Sequence, residues 1–271
     1  MSRAHHFKLF KQLILLVGLF VICLYNSANA AAPNFNNLSE GQINGVLKDF
    51  ASSMYPTTVS GASSLGKLFG FELGVEVGAA ESPNVDALTT EKVDKFPKAA
   101  FMGIVSVPFG LGAEVAILPV KVGDFEYNYY SVGARWTITD AFSFIPFFDL
   151  KLRAQVSNGE MKFKDQIAGV PTDVTFDHKS FAYNLTIGKK ILFIEPYLGF
   201  GHISGKNSLT SSGTVSIFNV SVPVTAHQDV KLSDNYYYLG AQLHLFILNL
   251  GLEWAKVYDN KVITGKLSFG F

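Results

Sequence analysis

The stretch GFGHISGKNS, residues 199–208, places His202 and Ser204 two positions apart. On an extended chain such residues share a face, and there an imidazole can take a hydroxyl proton and activate the oxygen for attack on an acyl group. No orienting acid can be assigned from the sequence. The other chemistry-bearing residues are charges inside segments whose alternate residues are apolar: Glu72, Glu76, Glu114, Asp149 and Glu253 against Arg135, Lys151, Arg153 and Lys266. Charges withdrawn from bulk water must pair or keep local water. They therefore read either as a network bracing an interior or as the lining of a narrow path or small-solute site. The near balance of signs favours bracing, because a selective pore uses a ring of one sign. His178, in TFDHKS, reads as part of a solvated outer loop. No His/Asp cluster has metal-ligand spacing and no glycine loop cradles a phosphate, so no metal and no cofactor are expected.

What positions these residues is a period of two. In GKLFGFELGVEVGAA, Phe69, Phe71, Leu73, Val75 and Val77 alternate with Gly70, Glu72, Gly74, Glu76 and Gly78. The pattern recurs at 130–138, 146–157, 180–188, 236–245, 248–255 and 262–271, and more weakly near 99–108, 111–118 and 194–204. A tilted strand of about ten residues crosses a hydrocarbon layer. One wholly apolar face, repeated this often, predicts an all-β fold: a closed antiparallel transmembrane β-barrel of about ten strands, with eight or twelve as alternative counts. Short connections at one end alternate with long ones at 81–98, 158–179 and 205–233, as in outer-membrane barrels. The alternating run through Val215, Ile217, Val220 and Val222 reads as a hairpin extending above the membrane. Tyr130, Trp136, Tyr197, Tyr237, Trp254 and Phe271 are placed in interfacial girdles.

The first residues read as an export signal. Arg3, Lys8 and Lys11 precede a short apolar core, and Ala28 and Ala30 fit a small-residue cleavage site. Cutting there would remove Cys23, the only cysteine, and leave 19 basic against 22 acidic side chains, a net charge of −3. A near-neutral chain with no basic stripe is not expected to bind nucleic acid. The expected organisation is a cleaved signal at 1–30, a periplasmic segment at 31–65 and the barrel at 66–271. In the middle part Ser39 and Gln42 form a capping box, Leu38 and Ile43 occupy staple positions, and Ile43, Val46, Leu47, Phe50 and Met54 repeat at helical spacing. This short amphipathic helix is expected either to lie on the inner leaflet or to plug the barrel mouth. Ten strands enclose little room for a helix and its side chains deep inside.

The last strand, KVITGKLSFGF, resembles the C-terminal signature of bacterial outer-membrane proteins, with Leu267, Phe269 and Phe271 on one face. EPYLGFGH, residues 195–202, resembles a strand found in many small barrels of that superfamily. The resemblance implies an outer-membrane address in a Gram-negative cell and assembly by the barrel-assembly machinery, which reads the final strand; it implies no substrate. The His-x-Ser fragment resembles that of outer-membrane lipid hydrolases, the lipid A deacylases and the phospholipase. In those families an Asn follows the serine, where Gly205 stands here. The expectation is a monomeric, porin-like barrel in contact with outer-membrane lipids, a narrow channel or small-solute binder. A structural or adhesive barrel acting through its outer loops is the alternative, and a lipid hydrolase using His202 and Ser204 the second alternative. On this reading the chain is not an enzyme.

Overall fold

The computed structural model describes residues 39–271, apart from 67, 89–91, 143–146, 168–169, 218–219 and 271. The export signal, Leu38 and Phe271 therefore lie outside the described residues. Ten antiparallel strands close on themselves: β1 (Gly70–Glu81), β2 (Lys95–Ser106), β3 (Leu111–Val122), β4 (Phe125–Thr137), β5 (Asp149–Ile167), β6 (Val170–Gly188), β7 (Ile194–Ile217), β8 (Val220–Leu245), β9 (Leu248–Val257) and β10 (Asn260–Gly270). Each strand pairs with its sequence neighbours, and β10 closes the barrel on β1, with Val75 opposite Leu267 and Glu76 opposite Lys266. Closure leaves no unpaired strand edge in the lower barrel, whereas β8 above Tyr237 pairs only with β7 and β5 beyond Lys162 only with β6. The final strand is thus the closing one, as its alternation predicts. Leu267 and Phe269 turn outward, while Thr264, Lys266 and Ser268 are buried inside.

The barrel has two unlike halves. Near the end with short turns, every strand presents apolar side chains outward: Leu73 is 60% exposed, Phe200 59% and Leu252 61%. A surface of this kind, continuous around the wall, is far beyond the apolar patches a water-soluble monomer carries. Its upper edge carries outward aromatics, including Tyr130, Tyr183, Tyr237 and Trp254, the last two 5.7 Å apart between ring centres. Tyr197 is not among them. Its side chain turns inward and donates to Glu253 at 3.1 Å, because the parity of β7 puts Glu195, Tyr197 and Ile203 inside.

Above the aromatics the polarity inverts. Residues 158–179 and 205–233, read from sequence as long polar loops, continue as strands, and β5–β8 rise as a tall wall. There Met161, Val174 and Phe176 face inward while Glu160, Lys162 and Asp177 face out. His178 belongs to this wall and not to a solvated loop: it is fully buried, with Nδ1 2.6 Å from Asn207 Oδ1. The tall half is built like a soluble core wrapped in sheet.

That core receives α1 (Glu40–Ser53), started by the capping box that the sequence predicts: Gln42 N donates to Ser39 Oγ and Ser39 N to Gln42 Oε1. The helix lies neither on a leaflet nor at the short-turn end; it sits inside the barrel at the tall end. Val46, Leu47, Phe50 and Met54 are buried against Met102, Ile104, Ala116, Tyr127, Met161 and Phe176. Phe50 is 5.0 Å from Phe96 and 5.1 Å from Phe176 between ring centres. Small inward residues make the room that strand number alone does not. A Cβ on Gly159 would come within 2.4 Å of the Met54 sulfur, and Ala80, Ala100 and Ala116 line the same space. Asp49 accepts from Asn84 N and Nδ2 at 2.8 Å, Val85 N at 2.9 Å and Asn260 Nδ2 at 2.9 Å. It ties α1 to the short helix α2 (Pro83–Asp86) and to the β9–β10 rim.

Candidate functional site

From α1 the chain descends through the lumen. Residues 55–65 form no helix or strand, so their backbone groups need other partners. The inward charges supply them. Lys98 donates to the carbonyl of Tyr55, Arg153 to that of Pro56 at 3.4 Å, Lys151 to those of Ser60 at 2.8 Å and Gly61, and Arg135 to that of Ser63 at 3.4 Å. Carboxylates take the segment's hydroxyls: Thr57 donates to Glu253 at 2.7 Å, Thr58 to Glu114 at 3.0 Å and Ser63 to Glu195 at 2.6 Å. These contacts step down from the tall end to the short-turn end, where β1 begins. The segment is a strap threaded through the barrel.

Eight of the nine lumen residues expected from sequence are buried on the inner face: Glu72, Glu76, Glu114, Arg135, Lys151, Arg153, Glu253 and Lys266. Asp149 shares their parity but sits half-buried at the short-turn mouth, 3.8 Å from Lys189. Direct pairing accounts for part of the set: Lys266 meets Glu72 at 2.7 Å, and Glu114 meets Arg153 at 3.6 Å and Arg135 at 3.9 Å. Lys151 and Glu253 hold the strap, and Glu76 is buried with neither carboxylate oxygen hydrogen-bonded to a described residue. Lys98, Gln155, Glu195 and Gln242 complete the lining and were not singled out from sequence; their parity within the strands was the signal available. Inward glycines seat aromatic rings, since a Cβ on Gly199 would strike the Tyr238 ring at 2.1 Å and one on Gly240 the Tyr197 ring at 2.5 Å. At the short-turn mouth a cleft of about 150 Å³ remains beside Ser63, Glu195, Arg135, Lys190, His244 and Asn249.

His202 lies on the outer face of β7, and its partners are on β8, not on its own strand. Its Nε2 is 3.0 Å from Ser233 Oγ and its Nδ1 2.9 Å from Asn235 Oδ1. Ser204 is exposed beside it, opposite Ser233 in the register, but the hydroxyl that His202 engages belongs to Ser233. The expected His202–Ser204 pair is thus replaced by a Ser233–His202–Asn235 chain.

Residues 49–271 match the profile of DUF6588, a family of unknown function. The chain belongs to that family. The match takes in the strap and the last five residues of α1 along with the barrel. No curated protein matches the chain. Among solved structures, the outer membrane protease OmpT from Escherichia coli is similar at 11% identity and a TM-score of 0.42, over 81% of this chain and all of that one. The translocator domain of the autotransporter NalP from Neisseria meningitidis aligns at 10% identity and 0.43, over 76% and 89%. The attachment invasion locus protein Ail of Yersinia pestis aligns at 14% and 0.30, over 74% and 99%. The likeness concerns the fold.

Proposed function

We propose that this DUF6588 chain is an integral outer-membrane barrel of a Gram-negative cell that is closed at rest by its own N-terminal segment and acts through its outer surface. The apolar band fits a bilayer with the short turns toward the periplasm and the tall β5–β8 wall outside. The observation that carries the closed state is the strap: residues 55–65 occupy the lumen, and each of its levels is bound by side chains from the wall. A solute would have to displace contacts that satisfy buried charges, at several kcal/mol for each charge left unpaired. The structural or adhesive reading is therefore favoured over an open channel.

A gated channel is the second reading. The cleft at the short-turn mouth favours it, together with the purely noncovalent hold on the strap. Planar-bilayer recording separates the two. The full chain is expected to give no steady conductance, and a variant lacking residues 40–63 to give an open pore. Steady current through the full chain would overturn the closed reading, and opening in response to an added solute would establish the gated one.

A further inference from the structure

We propose that Ser233, His202 and Asn235 form an acyl-ester hydrolase site on the outer wall of the barrel, directed at a phosphate-bearing membrane lipid. The geometry is that of an activated nucleophile. Ser233 Oγ stands 3.0 Å from His202 Nε2, and Asn235 Oδ1 stands 2.9 Å from Nδ1 on the other side of the ring. The amide oxygen only accepts, so it fixes the proton on Nδ1 and leaves Nε2 free to take the serine proton. The imidazole is also set against the Tyr183 ring, 5.7 Å between centres. A polar cluster that served only to make the surface wettable would have no need of this ordering.

Its position names the substrate. In the register Tyr183, His202 and Asn235 lie side by side across β6, β7 and β8. The next outward rung toward the apolar band is Leu185, Phe200 and Tyr237, all exposed. Above the serine, Lys179, Lys206 and Lys231 stand in one row on three adjacent strands. Like charges placed directly opposite repel, and none of the three makes an ion pair with a described carboxylate. They border an open groove of about 810 Å³, which Asp177 and Asp229 also line. Lys231 lies two residues from Ser233, about 7 Å along the strand. A lipid with acyl chains against the apolar rung and its phosphate on the lysines brings an ester carbonyl to the level of Ser233. This placement rests on the membrane orientation proposed above.

The reaction balances with water as the only co-substrate. Ser233 Oγ bonds to the ester carbonyl carbon as its proton passes to Nε2, and the Lys231 ammonium offsets the oxyanion. Collapse breaks the carbon–alkoxide bond, and the Nε2 proton leaves with the lysolipid hydroxyl. Water then attacks the acyl-serine and gives a proton to Nε2. The Oγ–carbon bond breaks, the proton returns to Oγ, and a fatty acid departs.

The test uses the full folded chain, with folding checked by heat-dependent gel mobility, in vesicles of phosphatidylethanolamine and phosphatidylglycerol. Expected are fatty-acid release, and a fluorophosphonate adduct that maps to Ser233. Ser233→Ala and His202→Ala lower release by about 100-fold or more, and Asn235→Ala lowers kcat with little change in KM while Asn235→Asp restores part of it. Lys206→Ala raises KM for phosphatidylglycerol more than for an uncharged ester. Folded protein that neither releases fatty acid nor takes the label overturns the proposal, as does an adduct on Ser204 or unchanged release by Ser233→Ala. An equal KM rise for both esters removes the phosphate role. Because folding and vesicle insertion are read separately, failure of the site is distinguishable from failure of the membrane reading.

Discussion

A histidine two residues from a serine is visible in any sequence; what it touches is not. His202 and Ser204 share a face as the alternation requires, yet the imidazole reaches across to β8, and only the strand register brings Ser233 and Asn235 to it. His178 teaches the same lesson from the other side. TFDHKS is polar enough to read as loop, but in the wall His178 is enclosed, stacked near Phe176 with ring centres 6.3 Å apart. It stands above the apolar band, where burial pushes its pKa down from 6.5 to about 4. The unfolded chain then binds more protons than the folded one between those values. The stability it contributes is complete above pH 6.5 and is lost as pH falls toward 4, up to about 3 kcal/mol locally. Amide exchange in 172–180 and 205–213, corrected for its intrinsic pH dependence, should accelerate between pH 6.5 and 4.5, and His178→Gln should abolish that step. Equal protection at both pH values would contradict it.

Among elements, the strands were the most legible and the N-terminal segment the least. Alternation marks β1, β4 and β10 because one face meets lipid and the other a polar lumen. In the upper reaches of β5–β8 the outward face is polar and the inward one mixes Val174, Phe176 and Thr172, so the contrast fades and the run resembles loop. The amphipathic stripe of α1 was plain, but lipid and an apolar lumen are equivalent partners for such a stripe. The strap PTTVSGASSLG has no period at all, and its partners are spread over strands up to about two hundred residues away in sequence. What fastens the helix is Asp49, which accepts four hydrogen bonds from α2 and the β9–β10 rim. Asp49→Ala strands those donors and should cost about 3 kcal/mol in the seating of α1. The readout is a lower temperature for loss of the compact band in heat-dependent gel mobility. An unchanged transition would mean that the apolar contacts alone hold the helix.

At the scale of the whole molecule, the barrel uses its charges to hold a piece of its own chain. Arg135, Lys151, Arg153, Glu114 and Glu253, which read as a braced lumen or a solute path, are directed at carbonyls and hydroxyls of residues 56–63. The strap enters at the tall end and leaves at the short-turn end, so the start of α1 belongs with the outer rim. Gly41 lies there, with nothing within 4 Å of an added Cβ, and accepts a cysteine without disturbing the fold. In a Cys23→Ser background, Gly41→Cys should react in intact cells with a membrane-impermeant maleimide as fully as a cysteine at Asp124 in the β3–β4 turn. Labelling of Gly41→Cys only after the outer membrane is permeabilised would place α1 at the periplasmic end and contradict the threaded barrel.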